Sequence, residues 1–393
     1  MTGQEGADVL RGSPLPVERP SIGHAMQCIG QPGSRRRIAT PAAVLDLDAF
    51  DRNVAKMAAR AKAAGLALRP HAKSHKCSAL ARRQIEAGAV GICCAKLAEA
   101  EAMAAAGISA ILVTSPIAGA AQAERAARLA RDLADFRIVL DHPDGAAELG
   151  AAAQGTIQVL IDVDPGLGRT GVHDAVQALE VFRAVSSQPN LKLIGVQCYG
   201  GRWQHMEGAN ARAAAVADGM AYLSGVIAAL REAGADIQVV TGGGTGSFAA
   251  DAAQGVLNEV QPGSYAFMDR QYREALQDDP DGAFEQALVI ESTVISINHP
   301  QWVTLDAGLK AFATDGPLPE PLTAKFVGCA YHYFGDEHGL LMRPEGEAIA
   351  RGERVELVPP HVDPTLDRYD VIHLVRGDVL VEIAPVEARG ASQ

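Results

Sequence analysis

The arrangement in this chain best suited to covalent chemistry is a lysine flanked by two histidines, in the run Arg69-Pro-His-Ala-Lys-Ser-His-Lys76. It follows the apolar Leu66-Ala-Leu68 and precedes a long Ala-rich segment. Lys73 is therefore expected at the C-terminal end of a strand, where parallel α/β folds assemble their sites. On an extended strand His71 and His75 fall on one side with it. Positive neighbours and partial burial are expected to lower the Lys73 pKa and leave free amine to attack a carbonyl. The competing reading is an exposed, basic strand end.

A second candidate lies far along the chain, in Pro359-Pro-His361-Val-Asp363-Pro-Thr365. Residues two apart on a strand share a face, so His361 and Asp363 are expected to share one ligand, with Pro364 ending the strand. One imidazole and one carboxylate are too few for a closed zinc site but suit an open divalent site completed by water and substrate. The carboxylate favours Mn²⁺ or Mg²⁺ over Zn²⁺.

A third is Thr241-Gly-Gly-Gly-Thr-Gly-Ser247, between a strand and the helical Phe248-Ala-Ala. It lacks the Lys-Ser/Thr of a Walker loop and the Gly-x-Gly-x-x-Gly order of a dinucleotide turn. Glycines ahead of a helix N-terminus suit a single phosphate, and an eighth barrel strand is where such folds bind one. A tight turn without ligand is the alternative. Arg169, in Gly166-Leu-Gly-Arg169-Thr-Gly171 after Asp162 and Asp164, is expected at the same mouth and suits an anionic oxygen. Tyr199 and His205, in Gln197-Cys-Tyr-Gly-Gly-Arg-Trp-Gln-His205, end the next strand, and Tyr265 lies beyond the glycine loop.

The elements that must position these groups follow from periodicity. Residues 1–36, rich in Gly, Pro and Arg, show no period and read as a flexible arm. Over 37–279, short β-type runs alternate with helical ones: Val44–Leu47, Leu66–Arg69, Val90–Cys93, Ile111–Thr114, Arg137–Leu140, Ile157–Ile161, Leu193–Val196 and Ile237–Val240. Eight βα units predict a TIM-type (β/α)8 barrel, with an open doubly wound sheet as the alternative. Over 280–393 the texture is all β, including a hairpin with Gly377-Asp378 at its turn.

The 393 residues allow a large core and two domains, and the net charge of −12 argues against binding nucleic acid or anionic membranes. No apolar run is expected to reach spanning length, and neither the N-terminus nor Arg35-Arg36-Arg37 reads as a targeting signal. Six scattered cysteines, with only Cys93-Cys94 adjacent, point to a reducing, cytoplasmic setting.

Taken in order, Thr40-Pro41, Arg69 to Lys76, Gly91-Ile-Cys-Cys94, Gly168-Arg169, Tyr199 to His205, Gly242 to Ser247, Gly263 to Asp269, Asp306-Ala-Gly-Leu-Lys310, Asp336-Glu-His-Gly339 and His361 to Thr365 resemble the D-threonine aldolase family. Its members are fold-type III pyridoxal-phosphate enzymes related to D-serine dehydratase and alanine racemase. The resemblance runs from about residue 38 to the C-terminus. It implies an alanine racemase-like barrel followed by a β domain, in a homodimer acting on D-3-hydroxy amino acids. Lys73 matches the lysine that carries pyridoxal 5′-phosphate. Gly243, Gly244, Thr245 and Gly246 match the phosphate loop, with Tyr265 beside it. Arg169 matches the arginine near the cofactor ring, Tyr199 the residue near the pyridine nitrogen, and His361 with Asp363 the metal pair. The implied reaction is retro-aldol cleavage to glycine and an aldehyde, with water or a histidine such as His205 as the base. His-x-Asp separates the aldolases from the dehydratases, which carry His-x-Cys with zinc. Dehydration to a keto acid and ammonia is the rival, ahead of racemisation or cofactor binding without turnover.

The chain departs from the family at Gly200, where Tyr-His-Gly is common, and at Ser115-Pro116, where Asn-Glu is common. Arg202 and Trp203 enlarge the nearby loop, and the cationic Arg202 suggests a substrate with a second carboxylate, such as D-3-hydroxyaspartate.

Overall fold

The computed structural model describes residues 20–278 and 284–393. Eight parallel strands make the first sheet: β2 (Ala67–Leu68), β3 (Ile92–Cys94), β4 (Ala110–Val113), β5 (Asp135–Leu140), β6 (Ile157–Val163), β7 (Leu191–Cys198), β8 (Val239–Gly242) and β9 (Glu259–Val260), in spatial order 2-9-8-7-6-5-4-3. The circle closes between the ends of that order. Val90 N–H donates to Leu68 O, Cys93 N–H donates to Pro70 O (both 2.8 Å), and His71 bridges Cys93. The fold is thus the expected barrel and not an open sheet.

The second sheet contains β1 (Ala42–Asp46), β10 (Leu288–Ser296), β11 (Trp302–Leu305), β12 (Glu320–Pro321), β13 (Tyr331–Tyr333), β14 (Gly339–Met342), β15 (Arg354–Val358), β16 (Val371–Arg376) and β17 (Val379–Pro385). Here the sequence reading needs correction. The run at Val44, counted as the first barrel strand, pairs antiparallel with β10 and parallel with β16. The barrel's last strand is β9, whose two residues in Leu-Asn-Glu-Val-Gln are too short to show a period. Consequently the glycine loop follows the seventh barrel strand, β8, and not the eighth.

Of the arm expected over 1–36, residues 1–19 lie outside the described residues, as does the expected boundary at 279/280. Residues 20–37 hold helix α1 (Pro20–Met26) and a 3₁₀ turn (Ser34–Arg37). Ile22 and Ala25 of α1 pack on Val44, Val289 and Val375, and Arg35 pairs with the buried Glu291. An apolar face and a buried countercharge fix this stretch, although it has no period.

Among the described residues nine helices link these strands: α2 (Leu47–Ala63), α3 (Ser78–Glu86), α4 (Leu97–Ala105), α5 (Ala120–Asp132), α6 (Pro143–Ala152), α7 (Ala175–Ser186), α8 (Ala209–Glu232), α9 (Phe248–Gln254) and α10 (Arg270–Ala275). A further short helix, α11, spans Val362–Leu366. Contrary to expectation, α8 is long and apolar enough to span a membrane by length and composition, because alanines fill its outer face. It packs between α7 and α9, and its Arg212 donates to Met206 O and Ala275 O.

The barrel interior is layered. Cys93, Leu112, Val139, Leu160 and Ile194 form an apolar layer. An ionic layer joins Arg69, only 1% exposed, to Glu259 at 3.1 Å and Asp135 at 3.2 Å, with Arg137 on Asp135. Removing one partner from such a cluster strands a buried charge and costs roughly 3–5 kcal/mol. A polar layer lies toward the strand C-termini. Gln197 Nε2 donates to Asp162 Oδ1 (2.9 Å), and Gln261 Nε2 donates to Gln197 Oε1 and Thr241 Oγ1. This layer is the floor of the site.

Candidate active site

Past the end of β2 the chain tightens into a 3₁₀ turn, Ala72–Ser74, and Lys73 sits in that turn. His71 caps the turn: its Nδ1 accepts from Lys73 N–H (3.4 Å), while Nε2 meets Thr114 Oγ1 (3.1 Å). His75 is not at the mouth. It is fully buried, with Nδ1 accepting from Cys77 N–H and its ring against Phe267.

The electrostatics therefore reverse the expectation for Lys73. Burial depresses both histidines, His71 well below its ordinary value and His75 to about 4, so neither is cationic near neutrality. The nearest charge is Asp363, whose Oδ2 lies 3.3 Å from Lys73 Nζ. That carboxylate, assisted by Tyr199, outweighs burial and raises the lysine pKa. Burial would push Asp363 up, but Lys73 and His361 together hold it below its usual range. The resting pair is an ammonium facing a carboxylate.

His361 and Asp363 are brought together, but not by a strand. His361 is the extended residue preceding α11, Asp363 lies in the first helical turn, and Pro364 continues the helix instead of ending a strand. Asp269 imposes this geometry. Its carboxylate caps α10 by accepting from Tyr272 N–H (2.9 Å) and caps α11 by accepting from Val362 N–H (2.8 Å). His361 Nε2 then lies 3.9 Å from Asp363 Oδ1, and its Nδ1 lies 2.8 Å from Asp315 Oδ2. Ser264 Oγ reaches Asp363 Oδ1 at 3.5 Å. Asp315 and Ser264 were not singled out from the sequence; Thr314-Asp-Gly-Pro reads only as a turn.

His205 packs against Tyr272, ring centroids 4.6 Å apart and planes inclined at 49°. Burial and then His361 lower its pKa, so it is a neutral base at pH 7. Asp164 accepts from the N–H groups of Gly166, Leu167 and Gly168, shaping the loop that presents Arg169. The exposed Arg169 guanidinium lies 5.6 Å from the Tyr199 ring centroid.

The glycine loop is built around Gln204, another residue the sequence reading passed over. Gln204 Oε1 accepts from Gly246 N–H, and its Nε2 donates to Ser247 Oγ. A Cβ on Gly244 would lie 2.4 Å from Gln204 Oε1, and one on Gly246 2.0 Å from Gln204 O. The Gln204 backbone thus requires glycine at 246, and a side chain at 244 would have to push the Gln204 amide from its place. Thr245 Oγ1 accepts from Tyr265 N–H. Tyr265 is thus beside this loop, as expected, but through its backbone: its fully buried hydroxyl accepts from Gln84 Nε2 (3.1 Å).

A β/α barrel whose first strand delivers a lysine, joined to a β domain that brings a carboxylate onto it, defines an alanine racemase-like enzyme, fold type III of the pyridoxal-phosphate proteins. The sequence agrees: residues 45–271 match the family "Alanine racemase, N-terminal domain", and residues 287–375 match "Putative serine dehydratase domain". The chain is 38% identical to a D-threonine aldolase of Arthrobacter sp., over 98% of this chain and 99% of that protein. It is 38% identical to a 3-hydroxy-D-aspartate aldolase of Paracoccus denitrificans, over 90% and 92%. The crystal structure of D-threonine aldolase from Filomicrobium marinum superposes with a TM-score of 0.87 at 39% identity, covering 91% of this chain and 98% of that one. The chain belongs to the D-threonine aldolase family and is a lyase.

The residues present fit the family's cofactor. Lys73 offers a side chain that is 41% exposed; in residues 243–246 the Gly244 and Gly246 N–H groups already donate to Ser247 Oγ and Gln204 Oε1, which leaves those of Gly243 and Thr245 for a phosphate. A divalent ion fits His361 and Asp363 as an open pair. Among the described residues no group of three or more such ligands gathers, so water and substrate would complete its shell.

Proposed function

We propose that this lyase cleaves D-3-hydroxy amino acids to glycine and an aldehyde, with pyridoxal phosphate on Lys73 and a divalent ion, Mn²⁺ or Mg²⁺ ahead of Zn²⁺, at His361 and Asp363. The observation that carries this reading is the 3.3 Å approach of Lys73 to Asp363, which sets a cofactor lysine beside a hard-ion ligand. Bound pyridoxal phosphate supplies the sink for the electron pair left on Cα when the Cα–Cβ bond breaks. His361 and Asp363 would hold the ion, whose chemistry there would be to polarise the substrate 3-hydroxyl. His205 takes the proton from that oxygen, and the C–O bond becomes the aldehyde carbonyl as Cα–Cβ breaks. A proton returned to Cα completes glycine. Arg169 and Tyr199 would orient the cofactor ring, and residues 243–246 would hold its phosphate.

Dehydration is the second reading, favoured by the match of residues 287–375 to a dehydratase domain. The carboxylate at 363, where those relatives carry a thiolate, supports aldol cleavage instead. We also take the enzyme to be a cytoplasmic homodimer; its six cysteines are all unpaired. Product analysis with D-threonine, pyridoxal phosphate and Mn²⁺ separates the readings. Glycine and acetaldehyde, lost in Lys73→Ala, support cleavage. 2-Oxobutanoate and ammonia overturn it.

A further inference from the structure

We infer that Asp315 is a positioning residue for the metal site: it fixes the ring orientation and tautomer of His361. This inference rests on the metal reading above. The His361 ring has one nitrogen directed at each of two carboxylates. Nδ1 lies 2.8 Å from Asp315 Oδ2, and Nε2 lies 3.9 Å from Asp363 Oδ1. A neutral imidazole carries one N–H, and a carboxylate at hydrogen-bond distance holds that proton on Nδ1. The Nε2 lone pair is then presented toward Asp363, in the gap where the ion would sit. Carboxylates in this relation to a ligating imidazole orient it and raise its basicity, and their loss typically costs 10–100-fold in metal affinity.

The placement of Asp315 is built, not incidental. Ala313 N–H donates to Thr365 Oγ1 (3.0 Å), on the helix that carries Asp363. Tyr333 Oη donates to Ala313 O (3.1 Å), and Gln271 Nε2 donates to Asp315 O (3.2 Å). A Cβ on Gly316 would lie 2.7 Å from that Gln271 nitrogen, so a side chain there would displace the amide from Asp315 O. The segment from 313 to 316 is thus clamped to both α10 and α11. The Asp315 side chain itself is 56% exposed, and an exposed pair adds little to folding. Stability alone gives it no strong role.

The test is calorimetric titration of Mn²⁺ into EDTA-stripped, pyridoxal-phosphate-loaded protein, for the parent, Asp315→Ala and Asp315→Asn. Asp315→Ala is expected to weaken Mn²⁺ binding 10–100-fold. Asp315→Asn, whose amide oxygen still accepts from Nδ1–H, should fall between it and the parent. The thermal midpoint and cofactor absorbance should be unchanged. Binding by Asp315→Ala within fivefold of the parent overturns the inference, as does a lowered midpoint at unaltered affinity. A parent that binds no Mn²⁺ overturns the metal reading and this inference together; a parent that binds, with indifferent variants, overturns this inference alone.

Discussion

Gly200 stands where related aldolases often place a histidine, and the structure gives a steric reason that can be measured. A Cβ on Gly200 would lie 2.0 Å from Trp203 Cε3 and 2.1 Å from Cδ2. The indole has little room to move. It is 7% exposed, and on its far side a Cβ on Gly219 of α8 would lie 2.3 Å from Cη2. Backbone strain is not the issue, since Gly200 has φ −85° and ψ 77°. Two responses to Gly200→Ala compete. Ejecting the indole forfeits about 150–250 Å² of burial, which at about 25 cal/mol per Å² is ~4–6 kcal/mol. Shifting the ring within an overpacked core costs ~1–3 kcal/mol. The shift wins, so Gly200→Ala should destabilise by about 1–3 kcal/mol. Histidine, which cannot be absorbed by a small shift, should approach the ejection figure.

The assay is urea unfolding followed by far-UV circular dichroism, which reads chains with and without Trp203 alike. A cycle with Trp203→Ala isolates the clash. That change alone should cost ~3–5 kcal/mol, but Gly200→Ala made upon it should be neutral within ~0.5 kcal/mol. A cost for Gly200→Ala under ~0.5 kcal/mol with Trp203 intact, or an equal cost in both backgrounds, refutes the steric argument.

Three further outcomes follow from the same geometry. His205→Gln should lower kcat by ~10²–10⁴ while leaving cofactor absorbance and Mn²⁺ binding intact; a kcat within tenfold of the parent removes His205 as the base. Arg202, exposed and bonded only weakly to Leu167 O at 3.5 Å, is the cation proposed to meet a second substrate carboxylate. Arg202→Ala should therefore depress kcat/KM for D-3-hydroxyaspartate several-fold more than for D-threonine, and equal effects on both would dismiss it. Burial raises the Asp251 carboxyl to about 7, against the help of Ser247. The folded state thus keeps this proton to higher pH than the unfolded chain, and the associated stability is lost as pH rises through about 7. Urea midpoints of the parent should drop relative to those of Asp251→Asn between pH 5 and 8; parallel curves would show that Asp251 does not titrate there.

What the sequence disclosed and what it concealed divide along contact distance in the chain. Runs such as Ile157–Val163 and Leu191–Cys198 bury nearly every residue, and their apolar character alone marks them as barrel strands. The Val44 run has the same local texture, yet its partners are β10 and, more than 300 residues on, β16; no periodicity reveals which sheet a strand joins. The charge state of Lys73 was misjudged for a related reason. Neighbours in sequence, His71 and His75, were counted as charges although burial neutralises them, while the controlling carboxylate is 290 residues away.

His361 and Asp363 make the same point more sharply, because the residue types were legible and the conformation was not. Two-apart spacing brings side chains together on a strand. Here it does so across a helix start, since an extended residue followed by a first-turn residue also converges. Which of these occurs is decided by Asp269, whose buried carboxylate accepts from the first amide of α11 and from Tyr272 of α10. One side chain of the barrel segment thus seats both the helix bearing the proposed metal ligand and the helix whose Tyr272 packs tilted against His205. The lysine's partner, the candidate base and the metal pair are set by a single joint between the two sheets. A change at that joint should move all three together, whereas changes at Lys73, His205 or Asp315 should each move one.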